Sequence, residues 1–386
     1  MSPSNIPKNR SRVAPRQQPM KIGTRLLAAA LMLPAVQVAR AEAPPDYSLI
    51  GLKMYNYLDR QPGEERIRVK AESLTFMTPV AGNWSLTATR FVDTVTGASP
   101  AYHTDALSKM RELRHAWDLA ATRFSPLGTL TMGASYSAET DYVSRGLSVS
   151  GTIESEAKNT TWNYGLNLVH DEINPSNRIV SNEIKNIRDF SAGVTQVMSM
   201  RDIAQIILGY SRGQGYFSDP YKVFDNRPRE RNSTTLLGRW NHNFAATDGT
   251  SHVSYRYYRD NYEIRSHTIG FEYVQPLPYG WTVMPLARLY SQNGASFFVD
   301  LDPASAPFPT NPPDDAVYFT EDQRLSSFGA RTLGIKFTKD LGLNWLADFK
   351  MERYEQRSNW KFSGDGSPGL APLTARTYQL GISRRF

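Results

Sequence analysis

The stretch Trp162-Asn163-Tyr164-Gly165-Leu166-Asn167-Leu168-Val169 sets a large apolar side chain at every second position. The positions between carry Asn163, Gly165, Asn167 and Val169. A period of two is the mark of a strand with one apolar and one wet face. The pattern recurs: Leu130, Met132, Ala134 and Tyr136 alternate with Thr131, Gly133, Ser135 and Ser137. Leu333, Ile335 and Phe337 alternate with Thr332, Gly334, Lys336 and Thr338, and Trp345, Ala347, Phe349 and Met351 alternate with Leu346, Asp348, Lys350 and Glu352. No amphipathic helix stands beside these runs.

A soluble β-sandwich also alternates. Two features separate the cases. The runs are about 10–15 residues, longer than the usual soluble strand, and their polar faces hold the Gly, Ser and Asn that suit a watery lumen. Aromatic residues gather near the run ends (Trp84, Tyr136, Trp162, Tyr210, Tyr273, Trp281, Tyr290, Trp345), where a transmembrane barrel carries its girdles.

Strands are predicted near 47–58, 65–77, 84–95, 111–124, 128–139, 142–155, 159–171, 186–199, 202–214, 232–245, 250–262, 264–276, 281–293, 326–338, 344–356 and 374–386. The fold class is therefore all-β, an antiparallel transmembrane β-barrel of about 16 strands, with 14 or 18 allowed. Short links at 78–83, 125–127, 156–158, 200–201, 246–249, 277–280 and 339–343 alternate with links that include 96–110, 172–185, 215–231, 294–325 and 357–373. Short periplasmic turns and long external loops are the outer-membrane rule, so 215–231 and 294–325 are expected outside. Three links on the long side (59–64, 140–141 and 263) are short.

Residues 1–41 read as a signal peptide with an extended N-terminus, leaving 42–386 as the barrel. Lys21 and Arg25 precede the apolar run Leu26–Val36, and Ala39-Arg40-Ala41 offers a small-x-small cleavage site before Glu42. Met20 is a second candidate start. The apolar run is too short to span a membrane as a helix. It also explains the net charge of +7. Lys8, Arg10, Arg12, Arg16, Lys21, Arg25 and Arg40 lie in 1–41 with no acid, and 44 basic residues less these seven leaves 37, equal to the acids. The barrel region is formally neutral, which removes the electrostatic reason to expect nucleic acid. About five residues separate Glu42 from the first strand, too few for a plug domain.

At the other end Tyr378, Leu380, Ile382 and Phe386 share one face, and Phe386 is terminal. This resembles the signal by which outer-membrane barrels are recognised by the barrel assembly machinery. Arg384 interrupts the apolar face.

Several segments are similar to a family of Gram-negative outer-membrane proteins known as a domain of unknown function. Val92–Pro100, with Asp93, Gly97, Ala98, Ser99 and Pro100, resembles its D-x-[IV]-[ST]-G-A-S-P loop; Ala101 departs from the larger residue expected next. Glu139-Thr140-Asp141-Tyr142 resembles an E-x-D-Y tetrad. Asp219-Pro220-Tyr221 and Arg227-Pro228-Arg229-Glu230-Arg231 resemble its D-P-Y and Arg/Pro loop. Tyr255–Asp260 with His267-Thr268 resembles its Y-R-Y-x-x-D and H-T strand pair. The resemblance runs across nearly all of 47–386 and implies an outer-membrane barrel, with no substrate or catalytic residue attached.

No catalytic, cofactor or metal site is expected. Cys is absent, which excludes thiolate chemistry and disulfides. The six His are scattered, with no H-E-x-x-H. Ser148 and Ser150 miss the G-x-S-x-G elbow, and Gly213-Gln214-Gly215 lacks the third glycine of a dinucleotide loop. Loop 294–325 holds Asp300, Asp302, Asp314, Asp315, Glu321 and Asp322 against Arg324, in a spacing that matches no calcium loop. It reads as a solvated acidic loop. Loop 215–231 carries Lys222, Arg227, Arg229 and Arg231 among aromatics, and reads either as a solvated loop or as a contact for lipopolysaccharide phosphates or an acidic solute.

With apolar residues facing lipid, Arg114, Asp118, Glu139, Arg256, Asp260, Glu272, Lys336, Asp348, Lys350 and Glu352 are expected to line the lumen, in ion pairs or networks. Arg256 is expected to pair with Glu272 or Asp260. The functional expectation is a passive, porin-like channel for an unknown small solute, in contact with outer-membrane lipid and lipopolysaccharide. An outer-membrane enzyme with rim residues, or a structural or assembly barrel with an occluded lumen, are the alternatives.

Overall fold

The computed structural model describes residues 43–97, 110–222, 224–300 and 314–386. The expected signal segment 1–41 and Ala98, Ser99 and Pro100 of the signature loop lie outside the described residues. The strands are β1 (Leu49–Gln61), β2 (Glu64–Val80), β3 (Trp84–Gly97), β4 (Met110–Ser125), β5 (Gly128–Ala138), β6 (Tyr142–Glu154), β7 (Thr160–Ile173), β8 (Glu183–Val197), β9 (Asp202–Gly215), β10 (Asp225–Asn226), β11 (Glu230–Phe244), β12 (Gly249–Asp260), β13 (Arg265–Leu277), β14 (Trp281–Gln292), β15 (Phe319–Thr320), β16 (Phe328–Gly342), β17 (Trp345–Arg357) and β18 (Leu373–Arg385).

Sixteen of these close into one antiparallel barrel in chain order, and β1 pairs with β18. Every backbone ladder is thereby satisfied without a free edge, as a lipid environment demands. The two-residue strands β10 and β15 pair with each other apart from the ring, and Thr320 of β15 also bridges Phe298. Each expected strand overlaps an observed one. The expected one-residue link at 263 is instead a turn over 261–264, because the Asp260 carboxylate accepts from the backbone N–H of Tyr262 (3.1 Å) and Ile264 (2.9 Å) and bends the chain there.

The period of two decides which side chains meet which solvent. Leu147, Trp162, Leu208, Leu236, Tyr255, Ile269, Leu333 and Leu380 are all exposed on the outward face. Buried against water's absence they would be core; here they form a belt for lipid. The intervening residues turn inward. Between β2 and β6 this inner wall is a ladder of paired hydroxyls: Thr75–Thr89 (3.1 Å), Thr122–Thr131 (2.9 Å) and Thr129–Thr152 (3.0 Å). From β11 to β18 it carries long charged side chains instead. Near the long-loop ends of β1–β4 the inward residues Ile67, Val69, Ala71, Phe91 and Val95 are buried and apolar.

Candidate functional site at the external mouth

The described parts of the β9–β11 and β14–β16 links do not stand away from the barrel. The segment 216–229 folds across the opening, and the ring of Phe217 settles over Gly213 on the inner wall. A Cβ on Gly213 would come within 2.7 Å of that ring, so glycine makes the inward fold of this loop fit. Phe217 also meets Tyr262 edge-on (6.5 Å), and Tyr262 donates to the Pro228 carbonyl (2.8 Å).

Beside this loop a cavity of about 470 Å³ opens between the loop and the wall. Its lining joins segments far apart in sequence: Glu139, Asp141 and Tyr142 from the β5–β6 turn, Asp219, Pro220 and Tyr221 from the β9–β11 link, Arg227 and Arg231 beyond it, Tyr258 from β12 and Arg324. Three of the four motifs that carry the family resemblance therefore meet at one place. Tyr221 fastens them. Its hydroxyl donates to the Asp141 carboxylate and accepts from the Ser176 N–H (2.9 Å), while Asn177 donates to the Pro220 carbonyl (2.7 Å). Burial, and then the bond to Asp141, raise the Tyr221 hydroxyl to about 12, so it stays a donor at any physiological pH.

Beneath the loop lies a buried ion cluster centred on Asp322, whose side chain is 1% exposed. Arg227 reaches it at 2.7 Å while also holding Asp225 at 2.5 Å. Arg324 bonds it through both carboxylate oxygens and reaches Asp219 at 3.3 Å; Lys222 stands 4.0 Å away. Burial alone would raise the Asp322 carboxyl, but Arg324, Lys222 and Arg227 outweigh it and hold it well below the usual range. Its neighbours go the other way: burial pushes Glu321 up to about 7 and Asp225 up to about 6. The loops read from sequence as solvated or as anion contacts are thus partners of each other. Lys222 and Arg227 meet Asp322 in place of water, because both segments are held inside one opening, whereas Arg229 pairs with Glu183 of β8 and Asp314 and Asp315 stay exposed.

The sequence-predicted lumen residues are placed as follows. Arg114 is buried against Asp93, its Nε 2.6 Å from the carboxylate. Asp93 stands in β3 and not in the signature loop, and Gly97 ends that strand. Asp118 shares the inward face of β4 with Arg114, two rungs away on the alternation. Glu139 lines the cavity. Lys336 and Lys350 sit directly opposite each other, and each has its own acid: Lys336–Asp348 at 3.8 Å and Lys350–Glu352 at 3.0 Å. Glu272 faces His252 across the β12–β13 ladder. The expected Arg256 pairing is corrected. Asp260 is taken by Arg231 of β11 (2.7 Å), by the Tyr258 hydroxyl (2.8 Å) and by the turn amides. Arg256 stacks instead over the Tyr258 ring, 5.5 Å from its centre, and among the described residues it has no ion pair. Tyr378, Leu380 and Ile382 are exposed on the lipid face, and Phe386 exchanges backbone bonds with Ser48 (2.8 and 2.9 Å).

Sequence reasoning missed Asp322 as an anchor; its acidic, Pro-rich surroundings look like solvent-exposed chain. It also missed the Asp141–Tyr221 contact, although both residues belong to the quoted motifs. For a metal, the carboxylate oxygens of Glu112, Glu139 and Asp141 lie within 4.8 Å of one another. That supplies three of the roughly six to eight oxygens that calcium takes, and Asp141 already accepts from Tyr221.

A closed antiparallel barrel with a lipid-facing apolar belt, a polar inner wall and folded-in loops at one end defines an outer-membrane β-barrel protein. The chain belongs to the family described as Protein of unknown function (DUF3570), whose model matches residues 103–183 and 175–378. No curated protein matches it. Among solved structures it is similar in fold to a bacterial polysaccharide outer membrane secretin, at 10% identity and a TM-score of 0.51, covering 87% of this chain and 98% of that one. It is also similar to OccK9 (OpdG) of Pseudomonas aeruginosa, at 10% identity and a TM-score of 0.43 over 88% and 98% of the two chains. OccD3 (OpdP) of the same organism aligns at 9% identity and a TM-score of 0.43 over 96% and 95%.

Proposed function

We propose that this barrel is a passive, porin-like channel for small solutes, exported by its 1–41 segment and narrowed at the external mouth by the 216–229 and 314–325 segments. The observation that carries the reading is the inner wall, which outside the apolar patch at the long-loop ends of β1–β4 is largely polar, from the Thr ladders of β2–β6 to Lys336, Asp348, Lys350 and Glu352. A barrel of this strand number has room for an aqueous passage, and polar side chains are at home there when water or a partner satisfies them. In this reading the mouth cavity, where carboxylates, aromatic rings and guanidinium groups meet, is the selective step, and no residue is assigned a catalytic role.

Planar-bilayer recording of the mature chain tests it. Wild-type protein should give defined conductance steps. Asp322→Asn leaves Arg227, Arg324 and Lys222 without their shared anion, a loss of about 3–5 kcal/mol for a buried pair, and should raise the conductance. Silence from both proteins sinks the channel reading.

A further inference from the structure

The outward face carries arginines in an arrangement that a solvated rim does not need. Arg353 and Arg376 are direct partners across the β17–β18 ladder. Arg188 and Arg212 are direct partners across β8–β9, and Arg259 and Arg265 across β12–β13. All six are exposed, and all lie on the lipid-facing side of the alternation. Like charges directly opposite each other on one sheet face repel.

Acids only partly offset them. Arg353 shares Glu355 with Arg331, at 2.5 and 2.8 Å, and Arg212 reaches Glu230 at 3.6 Å. Arg376, Arg188, Arg259 and Arg265 have no side-chain acid among the described residues.

The same kind of neighbour marks all three ladders. One rung toward the barrel middle from each arginine pair lies an aromatic-bearing pair: Met351 with Tyr378, Phe190 with Tyr210, and Tyr257 with His267. Two residues of strand rise about 6.6 Å, so each arginine pair sits just beyond the girdle at the long-loop end. The opposite rim is built differently. There Lys339 stands over Trp281 (5.2 Å) and Arg384 over Trp345 (5.4 Å), single cations each satisfied by a ring, and among the described residues no arginine faces another.

We propose that the three arginine pairs bind the phosphate groups of the phosphorylated glycolipid that forms the outer leaflet of the outer membrane. The acyl chains of that lipid lie along the apolar belt, and its phosphates fall at the height of the pairs. Two guanidinium forks side by side offer bidentate donors to one phosphate, and the anion removes the repulsion between them. The contact is on the outside of the barrel and does not depend on whether the lumen conducts.

The test uses the full mature chain purified in detergent, with heat-modifiable migration as the check on folding. The probes are bisphosphorylated lipid A, the same lipid dephosphorylated, and inorganic phosphate. Wild type should retain bisphosphorylated lipid A roughly tenfold more tightly than the dephosphorylated form. Replacing all six arginines by Gln should abolish that preference, and replacing them by Lys should keep part of it. Should the sixfold Gln variant fail to fold, Arg188→Gln with Arg212→Gln alone should still reduce the preference. Equal retention of the two lipids by wild type, or an unchanged preference in a folded Gln variant, overturns the proposal. Displacement of the lipid by millimolar inorganic phosphate would assign the pairs to free phosphate and overturn it as well.

Discussion

The two ends of this barrel are built on different principles. At the short-turn end each hairpin closes on itself: Ala81, Lys158, Asp248, Tyr279, Leu343 and Asn344 adopt the left-handed conformation, and the tips carry exposed apolar residues such as Leu127, Met200 and Leu343. Contacts there run within a hairpin or to the next one, as from the Phe124 N–H to the Asn83 carbonyl, apart from Ser48 with Phe386 where the first and last strands meet. At the long-loop end Asp322 is held by Arg227, and Tyr221 by Asp141, contacts between segments that no hairpin brings together. One end is written locally and the other only in the closed ring.

The largest effect should be a matter of sidedness. A cysteine at Asp314, which is exposed in the long link, should react with an impermeant thiol reagent on intact cells. One at Asp248, exposed in a short turn, should be silent until the membrane is opened. The reverse pattern would invert the assignment of the two ends.

Local encoding can be broken at a single residue. Gly128 has φ +139°, and a Cβ there would lie 2.0 Å from the Thr152 carbonyl oxygen. Gly128→Ala should therefore cost on the order of 1–3 kcal/mol, read as a lower urea midpoint for the heat-modifiable form. A wild-type midpoint would show that the turn yields freely.

The mouth, unlike the turns, should respond to pH. Glu321 and Asp225 have their carboxyls raised to about 7 and about 6, chiefly by burial. A raised acid favours the folded loop when protonated. This contribution is whole below the ordinary values of 4.5 and 3.8 and is lost as pH rises through 6 and 7. Asp322 is depressed, so its contribution disappears only at pH below its ordinary 3.8. The packed mouth should be firmest near pH 4 and should loosen as pH rises to about 7. Conductance should rise across that interval in wild type and rise less in Glu321→Gln. A flat profile would detach these carboxyls from the gate.

The smallest effect belongs to the wall between the two ends. Arg256 faces inward without an ion pair among the described residues, so Arg256→Gln should change stability by no more than about 1 kcal/mol. It should shift ion selectivity toward cations in bilayer recordings, because a fixed positive charge leaves the passage. Loss of folding would make Arg256 structural instead.

The same division explains what could be read from the residues alone. Alternation such as Trp162–Leu168 is dictated by a strand with lipid on one side, so strand positions follow from the pattern itself. Turn details at 261–264 escape it, since they depend on where one carboxylate, Asp260, finds its donors. The partner of Arg256 escapes for a related reason: Arg231, on the neighbouring strand, reaches Asp260 first. The ion cluster at Asp322 is further removed still. Its members are ordinary loop residues until ring closure brings the β9–β11 and β14–β16 links together, and no periodicity records that event.

Closure itself has a kinetic meaning. Leu49 pairs with Arg385 and Leu52 with Ile382, joining the two most distant strands in the sequence, while every other ladder joins strands adjacent along the ring path. The closing contact is the one with the highest contact order. Hairpins can form as neighbours meet, but the β1–β18 seam has to wait for the other fifteen ladders to bend round, and the loop-closure entropy falls on that single step. Insertion should therefore end in one late, all-or-none zippering at the seam.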